Sequence, residues 1–195
     1  MEPPVRLAST GTIIHGVSVG EVLGVSTLAE ARLIAGESGL GRIVQRLNVM
    51  EVPDILPWVK PHELLLTTGF PLRAVPGESD DVAALCRLVS DLNERRLAAI
   101  AIKLGRYIDR LPDAVLHVAE RLDLPLLRVP DSVAFDDVIT DVFTELLDRQ
   151  AGALSRADEL HRALAAIVLE GGDLPQIADE LLGTSSRASL IDAAR

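Results

Sequence analysis

The sequence predicts an α/β domain with a largely parallel sheet flanked by helices, followed by a long C-terminal connector helix. Three observations carry this prediction. Apolar runs at residues 63–68 (ELLLTT), 98–104 (AAIAIKL) and 126–129 (LLRV) read as strands, amphipathic segments alternate with them, and residues 135–170 contain no proline. Continuous apolar strands suit a sheet covered on both faces, and parallel strands need crossover helices to join them.

Residues 1–16 carry Pro3, Pro4, Ser9, Thr10 and Gly11 before any clear periodicity and read as a flexible leader. Ser18-Val19-Gly20-Glu21 has the pattern of a capping box, so a short helix is expected to start at Ser18 and end near Gly24. Residues 31–35 (ARLIA) read as a strand stopped by the Gly36-Glu37-Ser38-Gly39 turn, and residues 44–50 as the next. Pro53 and Pro57 bracket Asp54-Ile55-Leu56, leaving room for one helical turn before Trp58. The run 63–68 is expected to be buried on both faces.

After a loop containing Pro71, Pro76 and Gly77, Ser79 reads as the N-cap of a helix whose Val82, Leu85, Cys86, Leu88, Val89 and Leu92 follow helical spacing. Residues 98–104 give a strand with Lys103 as its one charge, Pro112 opens a helix over 113–122, and 126–129 make a short last strand. Residues 135–172 read as one long helix or two coaxial ones, closed by Gly171-Gly172. Within it Ile139, Leu146, Ala153, Leu160 and Ile167 recur every seven residues. Val142 joins that stripe, but Arg149 and Arg156 interrupt it. Such a stripe serves a homodimeric coiled coil or a helix packed back on its own domain, and both readings stay open.

Composition narrows the function. The formal net charge of -10 and pI near 4.8 argue against a DNA-binding surface in this chain, because phosphate contacts need clustered Lys and Arg. Cys86 is the only cysteine, so neither an intramolecular disulfide nor a cysteine zinc site can form. A composition that is 48% hydrophobic but only 3% aromatic fits a core of aliphatic side chains. No segment has the roughly 20 apolar residues of a membrane span, and the start lacks the layout of a secretory signal, so a cytoplasmic protein without membrane contact is expected. Phosphate-loop, nucleophile-elbow and zinc-protease motifs are missing, and His15, His62, His117 and His161 are scattered, so no enzyme activity, cofactor or metal is expected.

Six short motifs occur in one order: residues 18–23 (SVGEVL), 35–42 (AGESGLGR), 51–54 (EVPD) with Trp58, 63–69 (ELLLTTG), 104–106 (LGR) and 124–130 (LPLLRVP). Across residues 19–150 the chain thereby resembles the amino-terminal domain of the PucR family of regulators, named for purine catabolism. The domain is also similar to the amino-terminal domain of HPr kinase/phosphorylase, which shares the Gly-Leu-x-Arg turn and a Pro-Leu-Leu strand. The resemblance implies an effector-sensing and assembly domain (residues 17–134), a connector and dimerisation helix (135–172) and the opening of a truncated following domain (173–195). DNA contact would then belong to a C-terminal helix-turn-helix domain absent here.

Ligand candidates lie just past strand ends, where open α/β sheets bind their ligands. They are Glu51 and Asp54; Thr67, Thr68 and Gly69; and Lys103, Gly105 and Arg106. These offer acceptors, hydroxyls, open backbone and cations for a small anionic or ureido metabolite. Simpler roles compete: Gly69 and Gly105 suit tight turns, Glu51 a helix cap, and Arg106 a pair with Asp109 or Asp54. Two other functions remain as alternatives, a protein-interaction module without a small ligand and direct DNA binding through the helix-turn-helix-like residues 176–194.

Overall fold

The computed structural model describes residues 16–74 and 81–169. The chain divides into two compact units, Met1–Leu146 and Leu147–Arg195. The expected leader up to residue 15 and the expected following domain lie outside the described residues, as do Ser79, Gly171 and Gly172.

In chain order the first unit holds β1 (Val17–Ser18), α1 (Val19–Val22), β2 (Arg32–Ala35), β3 (Ile43–Val44), β4 (Arg46–Met50), β5 (Glu63–Thr67), α2 (Asp81–Glu94), β6 (Ala99–Lys103), α3 (Asp113–Arg121), β7 (Leu126–Val129) and the first turns of α4 (Phe135–Leu169). Among the described residues a five-stranded sheet has the order β2-β7-β6-β5-β4. Strands β4, β5, β6 and β7 are parallel and adjacent in chain order, and β2 is added antiparallel to β7. Their four carboxyl ends therefore lie along one edge, which is the feature that positions the candidate site.

All five residues of β5 are buried, as a continuous apolar strand requires. On one face Leu65, Ile100, Ile102 and Leu126 pack against Leu85, Val89 and Leu92 of α2 and Val115 and Ala119 of α3. On the other, Leu64, Leu66, Ala99, Ala101, Leu127 and Val129 pack against Val17, Val19, Val22 and Leu28 and against Val138, Val142 and Leu146 of α4. Val82 is 37% exposed and falls at the margin of the α2 apolar face.

The capping box forms: Ser18 Oγ accepts from the Glu21 N–H (3.2 Å) while Glu21 Oε2 accepts from the Ser18 N–H (2.7 Å). Two local expectations need correction. The strand expected over 44–50 is two strands: β3 pairs antiparallel with β1 in a separate small sheet, and the chain changes over at Gln45, whose N–H donates to the His62 carbonyl (2.9 Å). The helical turn expected at Asp54–Leu56 lies instead at Leu56–Trp58, where Pro57 falls in the first turn and its missing N–H costs nothing.

The glycine-rich segment 36–42 locks the sheet edge opposite the strands' carboxyl ends. Gly36 has φ 78°, and a Cβ there would collide with the Leu124 carbonyl. Its N–H donates to Glu120 Oε2 (2.5 Å). Arg42 then spans three chain segments, donating from Nη1 to the Leu97 carbonyl (2.8 Å) and from Nη2 to Asn93 Oδ1 and the Leu122 carbonyl (both 2.7 Å). Burial lowers its pKa from the ordinary value, and Asp123 opposes that shift.

The first turns of α4 pack back on the sheet. Val138 and Val142 have no exposed surface and Leu146 only 4%. Asp141 fastens this stretch to the turn at Ser26–Leu28, accepting from Ser26 Oγ (2.8 Å) and from the Thr27 N–H (3.3 Å). These hydrogen bonds, led by that of Ser26, lower the pKa of Asp141. Val142 and Leu146 are therefore occupied within their own domain, and half-buried Ile139 packs on the same cluster. Ala153, Leu160 and Ile167 lie on the part of α4 that belongs to the second unit.

Candidate functional site

Register fixes which side chains meet at the carboxyl edge. Thr67 stands opposite Met50 and Ile102, both in the core beneath α2 and α3, whereas Lys103 stands opposite Val129, in the core beneath α4. Because successive strand residues point to opposite faces, Thr67 and Lys103 face different layers and do not share a pocket.

Thr67 is 1% exposed, and its Oγ1 accepts from the Gly69 N–H (3.1 Å). It borders an otherwise apolar cavity of about 30 Å³ lined among others by Met50, Leu65, Leu85 and Ile102. That space suits a water-sized guest and excludes a metabolite. Half-buried Thr68 accepts from the Phe70 N–H (3.4 Å), so both hydroxyls shape the turn after β5. Gly69 takes φ 78°, and a Cβ there would reach Ile108 at 3.4 Å. Lys103 is half-buried with Nζ 4.7 Å from the centroid of the Phe135 ring, and so secures the first residue of α4 to the end of β6.

The open surface lies in the loops that follow β5, β6 and β7. Phe70 is 55% exposed and meets Tyr107 edge-on, with ring centroids 5.2 Å apart and planes at 66°. The exposed Arg106 guanidinium lies 5.4 Å from the Tyr107 ring centroid. Gly105, at φ 115°, donates its N–H to the Ile108 carbonyl (2.9 Å), and the position of an added Cβ is 3.7 Å from Asp131 Oδ2. One rim thus combines an aromatic surface, a guanidinium, a carboxylate and backbone free of side-chain cover.

Of the residues expected from sequence, the fold places Gly105 and Arg106 on this rim, buries Gly69 in the turn beside Ile108, turns Thr67 inward and directs Lys103 to Phe135. Glu51 and Asp54 are exposed after β4, and among the described residues no ion pair joins Arg106 to Asp54 or Asp109. Sequence reasoning missed Phe70, Tyr107 and Asp131. A usable signal was present: the chain holds only one Trp, one Tyr and three Phe, and Phe70, Tyr107 and Phe135 all follow strand carboxyl ends.

The chain is 26% identical over 161 residues to the purine catabolism regulatory protein of Bacillus subtilis (strain 168), an alignment covering 83% of this chain and 29% of that protein. The chain therefore spans under a third of the curated relative it matches. Among solved structures, it is similar to the CBS and DRTGG domains of the regulatory region of Clostridium perfringens pyrophosphatase, complexed with the activator diadenosine tetraphosphate. The TM-score is 0.41 and the identity 12%, over 64% of this chain and 46% of the other. A family model described as purine catabolism regulatory protein-like matches residues 21–146, well over half of the sequence and nearly the whole described part of the first unit. With that match spanning the sheet, its helices and the rim, the chain belongs to the purine catabolism regulatory protein-like family.

Proposed function

We propose that this chain is the effector-sensing and assembly part of a transcription regulator, acting in the cytoplasm without catalysis, and that DNA is contacted by a region outside it. Membership of a family whose relative is named a regulator supports the general role. The net charge of -10 supports placing DNA contact elsewhere. The observation that carries the sensing role is the rim itself, where Arg106, Tyr107 and Phe70 form a solvent-facing cation and aromatic cluster in a chain with 3% aromatic residues. Thermal-shift screening of nitrogen metabolites tests it. At least one compound should raise the melting temperature, and Arg106→Ala should weaken its binding about tenfold to a hundredfold, as the loss of one charge-assisted contact predicts.

Assembly is assigned to the distal part of α4, where Ala153, Leu160 and Ile167 keep the seven-residue spacing and Leu154 is 73% exposed. A homodimer is the form that paired DNA half-sites favour. Sedimentation of the wild type and of Leu160→Asp with Ile167→Asp decides this: a dimer converted to monomer supports the assignment, and a monomer at tens of micromolar overturns it.

A further inference from the structure

The five-stranded sheet ends on β2 at one side and on β4 at the other. An edge strand leaves N–H and C=O groups unpaired, and proteins blunt such edges with bulges, proline or charge. β2 is blunted, since its register with β7 shifts between Leu33 and Ala35. β4 is not. It keeps one register with β5 from Arg46 to Met50, contains no proline, and among the described residues pairs with β5 alone. We propose that β4 is a docking edge for a second copy of this chain, which adds its own β4 antiparallel across a two-fold axis. This contact is separate from the one assigned to α4.

Charge selects the occupant. The exposed Arg46 opens the strand, and the exposed Glu51 and Asp54 follow its end. Among the described residues no ion pair holds Arg46 or Glu51. Antiparallel pairing sets the basic start of each copy beside the acidic end of the other, at both ends at once, whereas parallel pairing brings like charges together. Between the charges, half-buried Leu47 and Val49 lie on one face of β4, so antiparallel strands lay apolar side chains of the two copies against each other. Past the strand, Val52 is 42% exposed and Trp58, the only tryptophan, 67% exposed, which is apolar surface of the kind that interfaces cover. A strand pair of this length falls well short of the roughly 800 Å² per partner of a standard interface, so alone it is weak, with a Kd on the order of 0.1–1 mM. Copies tethered by any other contact meet at an effective concentration of about 1 mM, at which such an edge pairs.

Sedimentation and amide hydrogen exchange of the 195-residue chain, followed from about 10 µM to about 1 mM, test this in the Leu160→Asp, Ile167→Asp variant, which removes the contact assigned to α4. The variant should pass from monomer to dimer over that range, and outward-facing amides within Arg46–Met50 should exchange about threefold slower at the upper end. Arg46→Glu should weaken the association about threefold to tenfold, and adding Glu51→Arg should restore it, because the two ends are then complementary again. A monomer at every concentration overturns the proposal, as does a dimer whose β4 amides are unchanged or whose affinity ignores Arg46→Glu. Failure of the double charge swap to restore association overturns the antiparallel pairing. Protection of the β4 amides that does not vary with concentration overturns the second copy as occupant, since the chain would then cover its own edge.

Discussion

At the scale of single residues, Arg42 and Arg106 show how one side-chain type serves opposite ends of the sheet. Arg42 gives its donors to Leu97, Asn93 and Leu122, so truncation leaves two carbonyls and an amide oxygen without their partner. Arg42→Ala should cost about 2–4 kcal/mol of stability, and Arg42→Lys should restore only part of it, since an ammonium lacks the planar fork. Chemical denaturation of the two variants checks the order. Arg106→Ala, on the exposed rim, should stay within about 0.5 kcal/mol of wild type. Arg106 was a ligand candidate from the sequence, whereas Arg42 stood there only within the 35–42 motif, because its acceptors lie 51 to 80 residues away. The position of Thr67 was hidden for a related reason: its chemistry suits a ligand, and only strand register turns it inward.

At the scale of elements, α4 is the segment whose behaviour the fold explains most directly. Its first turns are held by Val138, Val142 and Leu146 in the core, by Asp141 against Ser26 and Thr27, and by Phe135 under Lys103. Val142→Ala should destabilise the domain by about 1–3 kcal/mol, the usual range for emptying a buried valine site, without acting through self-association. The Asp141 clasp adds a pH dependence with a definite sign. Because the folded pKa is depressed below the ordinary 3.8, the clasp contributes fully above that value and is lost as pH falls through the folded one. Asp141→Asn should therefore flatten the acid limb of the stability curve below about pH 4, which melting curves across that range would record. The strands at 63–67, 99–103 and 126–129 were legible because most of their residues are buried and apolar, with Lys103 and the exposed Arg128 as single interruptions. The seven-residue stripe was not decisive, since over Ile139, Val142 and Leu146 the same spacing serves packing on the protein's own sheet.

At the scale of the molecule, parallel strands in chain order make one edge of the sheet a line of carboxyl ends, and α4 begins at that same edge. The α/β class and the long helix followed from pattern alone, because crossover helices and proline-free length are local properties of a sequence. Which loops gather at the rim did not, because that depends on strand order and register. Lys103, at the end of β6 and two residues before Gly105, meets the first residue of α4 through the Phe135 ring. The central claim is that effectors are sensed at this rim, and amide chemical-shift mapping of the compound that best stabilises the chain tests it most directly. The account predicts that the largest shifts fall at Gly69, Phe70, Gly105, Arg106, Tyr107 and Asp131, with smaller ones at Lys103 and Phe135. Shifts centred instead on the opposite edge, around Gly36, Arg42 and Asp123, would contradict it.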